Sequence, residues 1–158
     1  MHWKKNLRKR GKNIKTAKAL KLAGLARRAG KLVYGDAAVS QAVVEKQVRL
    51  ICTPQDASEK ISARAQRMPD RSNGLYTQIP CSQQELGAAL GLETCQIIAF
   101  LDPGFSAKFI EELAQEDSSY QGLAQELQGR QERALKRKKK KTRGKPPVLH
   151  LHKEDENL

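Results

Sequence analysis

The 158-residue sequence predicts an α/β fold, a three-layer α-β-α sandwich with a mixed four-stranded sheet and with basic N- and C-terminal extensions. The first indication is that four short apolar or β-prone segments, each followed closely by Gly or Pro, alternate with segments whose apolar residues recur at helical spacing. The second is that the chain has room for one ordinary domain, in which this alternation produces a sheet between helical layers.

The individual elements follow from periodicity and from the signals at their ends. Helices are indicated where apolar residues recur every three or four positions, and strands where a short apolar run stops at Gly or Pro. Two capping signals mark helix starts: Asp56 with Glu59, and the full capping box of Ser82 with Glu85. The predicted order is helix 16–30, strand Lys31–Tyr34, helix Ala37–Lys46, strand Val48–Thr53, helix 57–68, strand Leu75–Ile79, helix 83–90, strand Gln96–Leu101, helix 103–113 and a further helix from Tyr120 into Lys136–Lys141.

Charge divides the chain into a near-neutral body and two cationic arms. Residues 1–15 hold seven basic and no acidic residues, and residues 130–145 hold ten basic and one acidic, whereas residues 16–129 hold 12 basic and 13 acidic. The sequence therefore predicts a basic disordered arm over 1–15, a domain over 16–114, a helical and strongly basic extension over 115–145, and a disordered tail over 146–158.

Composition argues against a membrane protein, a secreted protein and a protein that stacks the bases of single-stranded nucleic acid on aromatic side chains. No stretch approaches the roughly 18–20 apolar residues of a membrane span, and no apolar segment of a signal peptide follows the basic N-terminus. The cysteines Cys52, Cys81 and Cys95 form no Cys-x-x-Cys pair and are typical of core residues in a reducing compartment. Aromatic residues, at 4%, are too few for a base-stacking platform. We expect a cytoplasmic protein with no membrane partner.

Catalytic motifs are missing from the sequence of the body. All three histidines, His2, His150 and His152, lie in the predicted tails, so the body holds no histidine that could act as a general base for a nucleophile. The body carboxylates lie mostly at helix starts or on polar helix faces, and no glycine-rich phosphate loop occurs. We expect no enzymatic activity, no cofactor and no metal.

The most informative loop is Gly30–Ala38, in which Gly35 directly precedes a helix. A glycine at a helix start lets a phosphate backbone approach free N–H groups. Arg27, Arg28 and Lys31 add positive charge nearby in the sequence. Glycines that only end a helix and a strand would give the same pattern. The loop alone therefore leaves open both an RNA-binding role and a purely structural one.

The basic arms are the strongest compositional signal. Their cations can bind RNA by releasing condensed counterions, which gives affinity without sequence choice, although a solubility tail has the same composition. The residues expected to contact RNA or the ribosome in this auxiliary way are Lys4, Lys5, Arg8, Lys9, Arg10, Lys136, Arg137, Lys138, Lys139, Lys140 and Lys141.

Four short motifs follow one another along the body: Gly24–Leu32 with Gly35, Asp56–Ser58, Ser82–Leu92 and Asp102–Phe105. Together they resemble the bacterial YlxQ-type proteins of the kink-turn RNA-binding ribosomal protein superfamily, whose archaeal type member is L-seven-Ae. The resemblance extends from about residue 18 to residue 113. It implies a mixed four-stranded sheet between helices, in agreement with the periodicity.

The resemblance also implies an RNA-binding surface made of two loops. In relatives the helix start after the first strand reads the edges of paired G and A bases, and a loop before the last strand shelters an extruded base. Strong kink-turn binders carry polar or charged side chains at the positions of Ala37, Ala38 and Gln41. The residues expected to bind RNA are Arg27, Arg28, Lys31, Gly35, Asp36, Ala37, Ala38, Gln41, Leu92, Glu93, Thr94 and Cys95.

These observations predict a non-enzymatic, ribosomal-protein-like chain that binds structured RNA of the kink-turn or a related kind, with ribosomal RNA or the ribosome as partner. A rival hypothesis is a protein-interaction module on the same fold, in which Ala37, Ala38 and Val39 form an apolar contact with a protein partner and the arms bind polyanions without specificity. A third is a substrate-holding domain that serves an RNA methyltransferase on another chain. The oligomeric state is not predicted.

Overall fold

The computed structural model describes residues 16–144, and side chains over residues 16–140. The predicted arm 1–15 and tail 146–158 lie outside the described residues. Helix α1 covers residues 16–28. The other elements are β1 (Leu32–Tyr34), α2 (Asp36–Val44), β2 (Leu50–Pro54), α3 (Glu59–Arg67), β3 (Leu75–Ile79), α4 (Gln83–Ala89), β4 (Ile98–Phe100), α5 (Pro103–Glu116) and α6 (Gln121–Gly144), with short 3-10 turns at Met68–Arg71 and Ser118–Tyr120.

The strands form one mixed sheet in the order β1-β4-β2-β3. Strands β2 and β3 are parallel, with Leu50 opposite Leu75. Strand β4 is antiparallel to both of its neighbours, with Phe100 opposite Leu32 of β1 and opposite Leu50 of β2. Strands β1, β2 and β3 therefore point the same way. Their carboxyl ends and the start of β4 share one edge, which we call the carboxyl edge, and their first residues share the opposite, amino edge.

Helices cover both faces of the sheet. Successive strand residues point to opposite faces, so Leu50 and Cys52 of β2 join the core formed with α1, α4, α5 and α6, whereas Ile51 joins the core formed with α2 and α3. On the first face, the rings of Phe100 and Phe109 pack with their centroids 4.8 Å apart. The predicted three-layer sandwich with a mixed four-stranded sheet is confirmed.

Helix α4 begins with the predicted capping box. The Ser82 hydroxyl accepts a hydrogen bond from the Glu85 N–H at 3.0 Å, and the Glu85 carboxylate accepts one from the Ser82 N–H at 2.8 Å. The two bonds satisfy backbone donors that an isolated helix start leaves without partners. The Gly91 stop is also confirmed, since Gly91 has a φ of 78° just after the helix.

The start of helix α3 differs from the prediction, which placed a capping pair at Asp56 and Glu59. Ser58 is the N-cap, and its hydroxyl accepts from the Ile61 N–H at 3.2 Å. The Asp56 carboxylate instead accepts from the Gln83 N–H at 2.7 Å and joins the starts of α3 and α4. The predicted pair is wrong because a tertiary contact uses the carboxylate that it required.

Helix α6 packs along α5 and completes the larger core. Leu127 is 2% exposed, and Leu123 and Ala124 are half-buried against the same core. Helix α5 itself continues past the predicted end at residue 113 to Glu116. Beyond Leu135, α6 presents exposed side chains through residue 140. Among the described helices, none combines the length and the apolar character that crossing a bilayer requires.

Candidate nucleic-acid interface

The turn at Gly35 joins β1 to α2 at the carboxyl edge. Gly35 has a φ of 88°, a conformation that L side chains rarely adopt, and its N–H donates to the Ile97 carbonyl at 3.0 Å. An added Cβ would meet no atom within 4 Å. Glycine is therefore needed here for its backbone conformation, and the space beside the α2 start is open.

The first turn of α2 is not capped by a side chain. Ser58, Ser82 and Asp102 each accept a backbone hydrogen bond at the starts of α3, α4 and α5, whereas no side-chain bond caps α2 at Gly35. Ala37 and Ala38, which follow, are exposed. The backbone donors of this turn are therefore accessible over two methyl groups, as close approach by an anion requires.

The second predicted loop, Leu92–Cys95, lies against helix α4. The Leu92 N–H donates to the Gly87 carbonyl at 2.8 Å, and the Cys95 N–H donates to the Gln83 carbonyl at 2.9 Å. A Cβ at Gly87 would lie 2.7–2.8 Å from backbone atoms of Thr94, closer than real Cβ contacts. Gly87 thus allows the loop to rest on the helix, with Leu92 half-buried and Glu93 and Thr94 exposed.

Cys95 places the second loop beside the first. The Gly35 N–H and the Cys95 thiol donate to the same Ile97 carbonyl, at 3.0 Å and 3.4 Å. Burial raises the pKa of the Cys95 thiol, and backbone hydrogen bonds at Ile97 and Gly35 offset part of that rise. The thiol is therefore protonated at neutral pH and serves as a packing group between the two loops.

Arg27 also links the two loops. One guanidinium nitrogen donates to the Leu90 carbonyl and the other donates to the Tyr34 hydroxyl at 3.3 Å, while the guanidinium carbon lies 4.9 Å from the centre of the Tyr34 ring. Leu90 leads into the second loop and Tyr34 immediately precedes Gly35. Arg27 is half-buried. It holds the two loops together, whereas the sequence predicted it as a source of positive charge for RNA.

Asp36 is paired with Arg64 of helix α3. Its carboxylate accepts from the guanidinium at 2.5 Å, and the same guanidinium donates to the Ser40 hydroxyl at 3.4 Å. The side chains of Asp36 and Arg64 are 35% and 44% exposed, so the pair lies at the surface beside the α2 start. The pairing offsets a negative charge that would oppose an approaching anion.

Three other predicted residues lie away from these two loops or are engaged elsewhere. Gln41 is exposed on α2 and donates to the Glu45 carboxylate at 2.7 Å. Lys31 precedes β1, at the amino edge, roughly 13 Å from Gly35 at the usual rise of a strand. Arg28 is exposed on α1 and lines a groove between α1 and α4.

The predicted auxiliary cations divide between described and undescribed residues. Lys136, Arg137, Lys138, Lys139 and Lys140 are exposed on α6. The backbone of Lys141 continues the helix. Lys4, Lys5, Arg8, Lys9 and Arg10 lie outside the described residues. Within the part of the chain that the structure covers, no group of three or more His, Cys, Asp or Glu side chains could hold a metal ion.

Three arginines beside α2 are not among the residues predicted from the sequence. Arg64, Arg67 and Arg71 line a groove of about 280 Å³ between α2 and the α3 region, together with Val43, Val44 and Met68. Arg64 and Arg67 are three positions apart on α3, the spacing that puts side chains on one helix face, and Arg71 follows in the 3-10 turn. That spacing is visible in the sequence, but the adjacency of this face to the α2 start is not.

The chain is similar in sequence to known bacterial proteins. The chain is 33% identical over 93 residues to RNA-binding protein YlxQ of Bacillus subtilis, a match that covers 56% of this chain and 88% of the relative. It is 30% identical over 95 residues to RNA-binding protein YlxQ of Enterococcus faecium, covering 58% of this chain and 86% of the relative. No protein-family model matches the chain.

Two solved structures share the fold. A protein of unknown function from Bacillus halodurans superimposes with a TM-score of 0.56 at 31% identity, over 61% of this chain and 96% of that one. The 15.5 kD RNA-binding protein of Giardia lamblia superimposes with a TM-score of 0.53 at 14% identity, over 67% of this chain and 89% of that one. Since the sequence matches exceed 85% of the length of each bacterial relative at 30–33% identity, the chain belongs to the YlxQ family.

Proposed function

We propose that this chain is a non-enzymatic RNA-binding protein that recognises structured RNA of the kink-turn or a related kind, with ribosomal RNA as its partner. The observation that carries the proposal is the junction of two loops at the carboxyl edge. The uncapped start of α2 at Gly35 lies beside Leu92–Cys95, and Arg27 bonds to residues leading into both.

The chemistry of this junction suits RNA with splayed or non-canonically paired bases. The backbone N–H groups of the α2 start suit a phosphate oxygen, and Ala37 and Ala38 leave room for a close approach. Half-buried Leu92 offers an apolar contact to an extruded base. Such bases, and not the deep groove of a regular A-form helix, are where proteins read RNA sequence and shape.

Electrostatics at the junction also favour a polyanion. Asp36 is the acidic residue of the α2 first turn, and its partner Arg64 offsets its charge. Arg67 and Arg71 add positive charge along the adjacent groove. The names of the bacterial relatives describe RNA-binding proteins, and RNA binding by this chain is the simplest extension of that likeness.

The test is binding of the full chain to a kink-turn RNA and to a base-matched plain duplex at two salt concentrations. We expect a preference for the kink-turn that survives the higher salt, because contacts to bases and to local shape release no counterions. Replacement of Ala37 by Glu should weaken kink-turn binding about ten-fold or more, since it puts a negative charge against the phosphates. A carboxylate near a helix start favours the helix, so this variant should stay folded.

The matched control is Gln115→Glu, which makes the same charge change at an exposed site on α5, in the opposite helical layer. It should leave the preference for the kink-turn unchanged. Equal, weak and salt-sensitive binding of wild-type protein to both RNAs would refute recognition by the two loops. That result would favour the protein-interaction module, with the arms as generic polyanion binders.

A further inference from the structure

A second basic site lies between α6 and the segment that leads into β3. It is a cleft of about 460 Å³ in which four arginines converge on a small polar turn. The residues that line it are Arg49, Arg130, Arg133 and Arg137, together with Pro69, Ser72, Asn73 and Gly74. The relatives are matched over 56–58% of this chain, and their names assign nothing to this cleft.

Helix spacing and one anchoring contact bring the arginines together. Arg130, Arg133 and Arg137 are three and four residues apart and so share one face of α6. Arg130 fixes that face against the turn, because its guanidinium donates to the Asn73 carbonyl and to the Glu126 carboxylate. Arg49 enters from the other side, where its N–H donates to the Phe100 carbonyl at 2.8 Å, at the amino edge of the sheet.

The cleft carries an excess of positive charge. Glu126 lies 3.0 Å from Arg130 and 3.9 Å from Arg133, so one carboxylate serves two guanidinium groups. Among the residues that the structure describes, no carboxylate oxygen lies within 4.0 Å of a charged nitrogen of Arg49 or Arg137. Guanidinium groups that lack an internal carboxylate are suited to phosphate, which matches their planar fork of donors.

The cleft and the Gly35 junction lie at opposite edges of the sheet and are separated by roughly 17 Å along the strand direction, the length of a five-residue strand. The 3-10 turn Met68–Arg71 lies between the cleft and the groove beside α2. Met68 and Arg71 line the groove beside α2, whereas Pro69 of the same turn lines the cleft. Arginine side chains therefore line both the groove, where Arg67 and Arg71 lie, and the cleft.

We infer that the four-arginine cleft is a second RNA site, which holds the phosphate backbone of a helix flanking the element bound at the Gly35 junction. The inference rests on the proposed function for the identity of the ligand. When one RNA molecule occupies both sites, the second contact is intramolecular and therefore increases the overall affinity. The fork geometry and the arginines that line both the groove and the cleft favour RNA over an acidic protein segment.

The experiment compares the full chain with the double variant Arg133→Gln, Arg137→Gln. Arg130 is left in place because its guanidinium also holds the Asn73 carbonyl. The probes are a short kink-turn RNA and two longer RNAs in which each stem in turn is extended by one further helical turn. Wild-type protein should bind one extended RNA more tightly than the short one.

The double variant should lose that gain and bind the extended RNA about three- to ten-fold more weakly at low salt, as expected for two exposed ion pairs. The slope of log K against log salt should fall by about 0.7–0.9 for each phosphate that the variant no longer neutralises. The matched control is Lys18→Gln, Lys60→Gln, which removes the same charge from exposed positions on α1 and α3 that do not line the cleft. It should retain most of the gain from stem extension.

Equal losses in both double variants would overturn the inference, because the total charge of the protein and not the cleft would then set the affinity. The inference would also be overturned if the protein bound the short kink-turn RNA selectively but the double variant bound the extended RNA as tightly as wild type. The proposed function would then remain intact. If neither RNA were preferred to a duplex but the cleft variant still lost affinity for the extended stem, the proposed function would fail and the second site would stand. Unchanged RNA binding, with loss of polyglutamate binding in the cleft variant alone, would assign the cleft to acidic protein segments.

Discussion

At the scale of single residues, tertiary contacts change what several side chains do. Arg27 is predicted to supply charge to RNA, yet its donors hold the Leu90 carbonyl and the Tyr34 hydroxyl. Lys31 is close to Gly35 in the sequence but lies at the other end of a strand. Gly35 has the backbone role that its place before a helix indicates, since its φ is 88°. A residue's type is thus visible in the sequence, whereas its partners are not.

The buried thiols predict a loss of stability in alkali. Burial raises the pKa of Cys81 from 9.0 to about 12, with Glu85 and Asp56 adding to the rise, and burial raises the pKa of Cys52 and Tyr120 as well. The folded state therefore keeps protons that the unfolded chain loses. The stability that these groups contribute is complete below about pH 9 and decreases as the pH rises toward 12.

Urea unfolding at steps between pH 8 and pH 11 measures this effect. One such group should lower the free energy of unfolding by about 1.4 kcal/mol for each pH unit above its unfolded pKa. The Cys81→Ala variant removes one titrating thiol and should show a shallower decline than wild type, whatever its stability at pH 7. Parallel curves for the two proteins would contradict the assignment to Cys81.

At the scale of elements, the order is confirmed and the ends are less well predicted. Strand β3 has the predicted bounds Leu75–Ile79, because Gly74 and Pro80 bound this short β-prone segment on both sides. Strand β4 is shorter than the predicted Gln96–Leu101 and covers Ile98–Phe100. Its bounds are set by the strands with which it pairs, and this pairing is not encoded locally.

The contact between α4 and the second loop gives a prediction at this scale. In a Gly87→Ala variant, the new Cβ would lie 2.7–2.8 Å from the backbone of Thr94 and would displace the loop. We expect a loss of about 1–3 kcal/mol in the free energy of unfolding, as for overpacked cores. Affinity for kink-turn RNA should fall more than affinity for a duplex, since the shifted loop no longer meets the α2 start.

Gly122→Ala is the control for that substitution. An added Cβ at Gly122, at the start of α6, meets no atom within 4 Å. Alanine there should leave RNA binding unchanged and should keep or raise stability, by up to about 1 kcal/mol. A Gly87→Ala protein with wild-type stability and wild-type RNA preference would show that the loop tolerates the extra methyl group.

At the scale of the whole molecule, α6 makes the basic extension part of the domain. Its apolar side chains lie in the larger core and its arginines close the cleft at the amino edge. The sequence places a basic helix after the body, but the apolar period of residues 120–127 does not say which surface it covers. The docking of α6 on α5 decides that the chain has a cluster of arginines at the amino edge of the sheet.

Replacement of Leu127 tests this docking. Leu127 is 2% exposed, so Leu127→Ala should lower the free energy of unfolding by about 2–5 kcal/mol through reduced burial and a residual cavity. Leu135→Ala, at a site on the same helix that is 52% exposed, should change stability by no more than about 0.5 kcal/mol. Chemical denaturation gives both values. Equal effects of the two substitutions would mean that α6 does not dock through Leu127.

Local sequence patterns were sufficient for the fold class, the order of the elements, the Ser82 capping box and the glycine before α2, because periodicity, capping and positive φ are local properties of the chain. They did not reveal that Ser58 caps α3, since the carboxylate of Asp56 is used by a residue 27 positions away. The adjacency of Gly35 and Leu92–Cys95 was expected only from the family resemblance, and the position of Arg49 opposite α6 came from the three-dimensional fold alone. The physical reason is that strand order and helix docking depend on burial between segments distant in sequence, which no local pattern encodes.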